Sequence, residues 1–214
     1  MGKKACVLGF SPLAELLAKG MKQHGYEVFL GLPAGTEASK STWIPRSPIS
    51  TRALVTEGLR ILHTIDDALL LFDFPNLTEP FNELSARSIE SSVDSCLKGP
   101  FFLIREILNT LARQGEGCLH IVLAPSPSGG EHPVDTALRK AIIGFSDSLF
   151  ALGSSNGISL HGFQGVDLEP EEYSANILSA VMNRQRNYHG RWHRFGTNQG
   201  LLSSLTLFKN TGQT

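Results

Sequence analysis

Cysteine is scarce in this chain of 214 residues: Cys6, Cys96 and Cys118 are the only three. Their odd number and wide spacing exclude a disulfide framework and a cysteine-rich zinc site. Each lies in an apolar or amphipathic stretch, as buried free thiols of a reducing compartment do. An excess of one charge is missing too, with 19 basic against 20 acidic side chains and a formal net charge of -1. That balance removes the positive field a nucleic-acid-binding protein needs. No window approaches 18 uncharged apolar residues, so no membrane span is expected. The apolar run behind Lys3 and Lys4 ends at Phe10, too short for a secretion signal, which makes the cytoplasm the expected location. What remains is a near-neutral chain, 41% hydrophobic, expected to form one domain over residues 1–214. At this length about 70% of the unfolded surface is buried without help from a staple.

Strand-length apolar runs alternate with stretches of helical period, and that alternation predicts βαβ units around a parallel sheet. Strands are expected at 5–9, 27–32, 68–74, 118–124, 158–163 and 190–195, with a weak one near Trp43 and Ile44, about seven in all. Helices are expected from Ser11 and Pro12 to His24, over 51–64, 97–113, 136–152 and 171–182. The segment 33–50 is rich in Pro, Gly, Ser and Thr and leaves a short helix open. The helices at 97–113 and 136–152 are apolar on more than one face, so one face covers the sheet and the other is left to meet a second subunit. The predicted fold is a three-layer α/β sandwich of Rossmann type.

Three segments carry a further likeness: Val93-Asp-Ser-Cys-Leu-Lys-Gly-Pro-Phe-Phe102, Ala137-Leu-Arg-Lys-Ala-Ile-Ile-Gly-Phe145 and Gly157-Ile-Ser-Leu-His-Gly162. In their order along the chain they resemble the short-chain dehydrogenase/reductase superfamily, Rossmann-fold proteins that transfer hydride with NAD or NADP. The resemblance places the family's catalytic tyrosine at Asp135, its lysine at Arg139, its serine at Ala124 and its asparagine at Cys96. All four are changed. An aspartate, whose carboxyl titrates at about 3.9 in water and is ionised at neutral pH, does not replace a tyrosine hydroxyl as proton donor. An arginine fork does not replace a lysine ammonium. Ser126 and Ser128 are the hydroxyls within reach as substitutes for the missing serine.

The same resemblance puts a cofactor against Gly9, Ser11, Leu13, Phe72 and Asp73. Leu13 and Glu15 stand where the later glycines of the phosphate turn belong, and Glu15 sets negative charge where a pyrophosphate would arrive. The aromatic rings of Phe72 and Phe74 occupy places that small residues keep open for adenosine. The leading expectation is therefore a protein of this type without hydride transfer, acting as a homo-oligomer or beside an active relative. Its contacts are expected through the helices 97–113 and 136–152, with no nucleic acid, membrane or metal involved. An atypical NAD(P)-dependent oxidoreductase using Ser126 or Ser128, Asp135 and Arg139 is the alternative. A sensor holding a small molecule between Phe72, Phe74 and the loop 125–130 is the third. His120 and His161 fall inside strands and are expected to be satisfied core histidines. The basic cluster Arg184, Arg186, His189, Arg191, His193 and Arg194 is expected to be an edge strand kept soluble by charge.

Overall fold

In a computed structural model of the chain, residues 2–9, 12–35, 43–152, 157–183 and 190–196 are described. Among them lie β1 (Lys4–Gly9), α1 (Pro12–Gln23), β2 (Glu27–Gly31), α2 (Pro48–Leu62) and β3 (Asp67–Phe72). Then come a 3-10 turn (Phe81–Glu83), α3 (Ala86–Val93), a π turn (Asp94–Lys98), α4 (Gly99–Gln114) and β4 (Gly117–Leu123). The order closes with α5 (Pro133–Ala151), β5 (Ile158–Val166), α6 (Pro170–Met182) and β6 (Arg191–Gly196).

The strands form one sheet in the order β2-β1-β3-β4-β5-β6, every pair parallel. β1, β3 and β4 are almost wholly buried, which is what a strand covered on both faces requires and why their sequences are continuous apolar runs. Alternate residues feed two cores. Leu8, Leu70 and Ile121 pack on the side of α2, α4 and α5, while Val7, Leu69 and Val122 pack on the side of α1 and α6. The result is the expected three-layer Rossmann-like arrangement.

The sheet has six strands among the described residues, one fewer than predicted, because Trp43 and Ile44 form none. Trp43 is buried, and its carbonyl accepts a bond from the Ala34 N–H. Its indole donates to Thr51 Oγ1 at 3.2 Å. The helix after it starts three residues earlier than expected, because Ser47 caps it, its Oγ accepting from the Ser50 N–H, and Pro48 supplies a first turn that needs no donor. The stretch 86–98, absent from the prediction, is helical. Ser85 caps it, and the π turn Asp94–Lys98 joins α3 to α4. Part of the second apolar face of α4 meets α5, with the Phe101 and Phe145 rings 4.4 Å apart.

Gly9 ends β1 at φ 148°, and a Cβ built there would stand 2.3 Å from the Leu71 carbonyl oxygen of β3. The sheet itself therefore demands glycine, whatever binds beyond it. Gly9→Ala is expected to destabilise the fold by about 2–4 kcal/mol from overpacking and backbone strain. A urea midpoint unchanged within error would show that β1 and β3 separate freely.

Candidate functional site

In an open parallel sheet the region beyond the carboxyl ends of the strands is where ligands bind. Four of the residues singled out in the sequence gather there. Asp135 lies in the first turn of α5 and is 2% exposed. Its Oδ2 accepts the Leu77 N–H at 2.9 Å, and its Oδ1 is buried without a hydrogen-bond partner among the described residues. Arg139, one helical turn later, turns inward. Its Nε reaches both Glu131 carboxylate oxygens at 2.9 Å, and one terminal nitrogen approaches Glu131 Oε1 at 2.5 Å. The other terminal nitrogen donates to the Ala124 carbonyl at 2.7 Å, and the guanidinium lies 4.4 Å above the Phe74 ring. Glu131, not Asp135 one turn before it on α5, is the carboxylate bonded to Arg139 among the described residues.

Asp73 and Cys96 complete the group. Burial raises the Asp73 carboxyl above its usual range; the Phe74 N–H and the Arg139 guanidinium pull it down, and the nearby Asp135 carboxylate pushes it further up. The Cys96 thiol is pushed up to about 11 by burial, then by the charges of Asp73 and Asp135. It stays protonated at neutral pH, so the nucleophilic thiolate is lacking. Beside these groups opens a cleft of about 320 Å³ lined by Asp73, Phe74, Pro75, Ser92, Ser95 and Cys96. Loop 125–130, expected to wall it, does not. Ser126 bridges to Val166 of β5, with its N–H on the Gly165 carbonyl, and the Ser128 N–H is held by Asp167 Oδ1. Both substitute serines are thus fixed at the end of β5. Phe72 and Phe74 are both buried in the core, and Phe74 also lines the cleft. Leu13 packs into the α1/α6 core. Ser11 lies outside the described residues.

The strand order reverses at β1, with β2 on one side and β3 on the other, and the carboxylates of Asp73 and Asp135 lie just past β3.

The fold matches a solved ketoreductase.

The chain is similar to 3-ketoacyl-(acyl-carrier-protein) reductase from Brucella melitensis complexed with NADH, with a TM-score of 0.78 over 92% of this chain and 98% of that one. The two are 12% identical, a level at which the likeness to the reductase shows the fold alone. No protein-family model matches the chain, and no curated protein does. Since 1462 solved chains match, the likeness to the reductase names no reaction, and the site has to.

Sequence reasoning misses the partners. Glu131 is visible there only as one residue of a Pro- and Gly-containing loop, and nothing in its spacing ties it to Arg139. Tyr173 carries no signal in the sequence, yet it is fully buried, its hydroxyl donates to the Leu123 carbonyl at 3.0 Å, and burial raises its pKa.

Proposed function

We propose that the chain is a short-chain dehydrogenase/reductase-like protein that no longer transfers hydride and works as a non-catalytic subunit, paired with itself or with an active relative. The observation that carries this reading is the inward engagement of Arg139. A lysine at this place would have to face the cofactor and the proton donor, whereas the arginine spends its donors on Glu131 and on the Ala124 carbonyl. The rest of the site supports it. Cys96 is a protonated thiol, Ala124 has no hydroxyl, and Ser126 and Ser128 are tied to β5. Glu15 adds negative charge to the first turn of α1. The half-buried apolar residues Phe102 and Leu108 of α4 and Ile143 and Leu149 of α5 support subunit contact through these two helices.

The experiment is a thermal titration with NAD+, NADH, NADP+ and NADPH at millimolar concentration, run beside the oligomeric mass and a carbonyl-reduction assay. The expected result is an unchanged melting temperature, a dimer or larger assembly, and no cofactor oxidation. A ligand at 100 times its Kd would add about 2.7 kcal/mol, roughly 5–10 °C for a chain of this size. A shift of that order together with turnover would overturn the reading.

The unpartnered Oδ1 of Asp135 favours a second reading, a rebuilt oxidoreductase site in which that oxygen receives a ligand's hydroxyl or amine. Cofactor turnover that Asp135→Asn abolishes while the fold survives would select it.

A further inference from the structure

A second polar constellation lies on the opposite face of the sheet, under α6. His120 of β4, His161 of β5 and Arg191 of β6 stand side by side in register, and His193 is opposite Phe163. Together with Phe163, Ala180 and Asn183 they line a cavity of about 280 Å³. Its described lining runs from Asn183, just past the end of α6, to Arg191 at the start of β6, toward the amino ends of these strands. That is the end of the sheet away from Asp73, Asp135 and Arg139.

His120 is 1% exposed, and only one of its ring nitrogens is satisfied. Nε2 is 2.9 Å from Asp67 Oδ1, and the second carboxylate oxygen, Oδ2, accepts the Tyr26 hydroxyl at 3.1 Å. Nδ1 has no hydrogen-bond partner among the described residues. Asp67 is completely buried and has both oxygens engaged, so it fixes the imidazole plane from behind and cannot serve the other nitrogen. A buried ring nitrogen left open is costly, and here it belongs to a residue that lines a cavity with room for several waters.

From these observations we propose that the cavity is a binding site for a small oxyanion, a carboxylate or a phosphate, held between His120 Nδ1–H and the Arg191 guanidinium with His193 at its side. The charges favour it. The Asp67 carboxylate balances a His120 imidazolium, and Arg191 adds positive charge to a described lining that holds no carboxylate. Desolvation works against charge on His120, but its neighbours Cys118 and the Asp67 carboxylate outweigh it and raise the imidazole to about 9, which favours a proton on Nδ1. His193 shows the same crowding from the other side. Burial holds its pKa down first, then the positive charges of Arg191 and His120 do, and an anion between these groups relieves that repulsion. Phe163 and Ala180 supply an apolar wall for the body of an acid. A metal ion fits less well. The trio with metal-ligand spacing among the described residues is Asp67, Cys118 and His120, whereas Nδ1 of His120 is the nitrogen left open and Arg191 repels a cation.

The test is independent of any dinucleotide. Melting temperature is followed against sodium phosphate, acetate and benzoate, with sodium chloride at matched ionic strength and zinc chloride as controls, for the wild type, Arg191→Met and His120→Gln. A saturable rise with phosphate or with the carboxylates, weakened at least about tenfold in Kd by Arg191→Met, is the expected result. The series that gives it distinguishes a phosphate-bearing from a carboxylate-bearing ligand. Arg191 is exposed at the lip, so its variant folds even where His120→Gln does not. A response that follows ionic strength alone, a response kept in Arg191→Met, or stabilisation by zinc alone overturns the proposal.

Discussion

Glu131→Ala is expected to lower stability by about 3–5 kcal/mol, because it strands a guanidinium that is fixed on α5 and about nine-tenths buried. At 2–4 °C per kcal/mol for a chain of this size, the melting temperature falls by roughly 10 °C. The two partners are not equivalent. Arg139 leaves from the second turn of a 19-residue helix and has no other carboxylate bonded to it among the described residues, while Glu131 sits two residues before that helix begins, on a loop. Arg139→Leu is therefore expected to be the milder change, since the freed glutamate swings to water and the leucine packs on Phe74. The double variant should sit near Arg139→Leu, giving a coupling energy well above the 0.5 kcal/mol that separates linked from independent sites. Denaturant unfolding of the four proteins measures it. A loss under about 1 kcal/mol for Glu131→Ala would mean that water screens the pair, and the case for Arg139 as a purely internal group would fall with it.

The Asp67–His120 pair sets the second large effect, one that appears against pH. His120 titrates near 6.5 in the unfolded chain and at about 9 when folded. A histidine raised on folding contributes stability that is complete below about pH 6.5 and is lost as pH climbs through 9. The size is on the order of 3 kcal/mol. The groups facing His120 are Tyr26, Asp67 and Cys118 around the pair and His161, His193 and Arg191 toward the cavity. His193 acts in the opposite sense, its lowered pKa removing stability on the acid side as pH falls below its unfolded value. Unfolding free energies between pH 6 and 10 should decline in the wild type and flatten in His120→Gln. Equal slopes in the two proteins would mean that the buried pair does not change its proton count on folding.

The strands are legible because burial on both faces leaves a signature that local reading detects: LLLF at 69–72 and HIVL at 120–123 have no other cheap destination. Helices α4 and α5 are legible from their period, although each begins a few residues from where the apolar stripe suggests. Residues 86–98 are not. Arg87, Glu90 and the serines 88, 91, 92 and 95 offer little apolar period, and the stretch is helical because Ser85 caps it and α4 continues it. At the candidate site, the positions of Cys96, Ala124, Asp135 and Arg139 can be found from spacing, but their bonding cannot. Whether Arg139 faces a ligand or the protein depends on Glu131, which a loop of unreadable geometry delivers. The sequence makes His120 a satisfied core residue, and that holds for one nitrogen only. The signal is an aspartate opening one strand and a histidine inside the next, but joining them takes the β3–β4 register, which places Asp67 opposite Cys118 and so within reach of His120.

The order of the strands also governs how the chain reaches its fold. No two neighbours in the sheet are linked by a hairpin, so every ladder closes across an intervening helix, and Ala5 finds its partner in β3 only at Asp67. As the polypeptide leaves the ribosome, β1 has one edge bonded to β2 and the other bare until Phe72 has emerged, and β3 then waits for β4 in turn. Long closures of this kind slow folding and leave apolar strands uncovered in the interval. The central strands, the most protected part of the finished molecule, are thus the part most exposed to misassociation while it is being made.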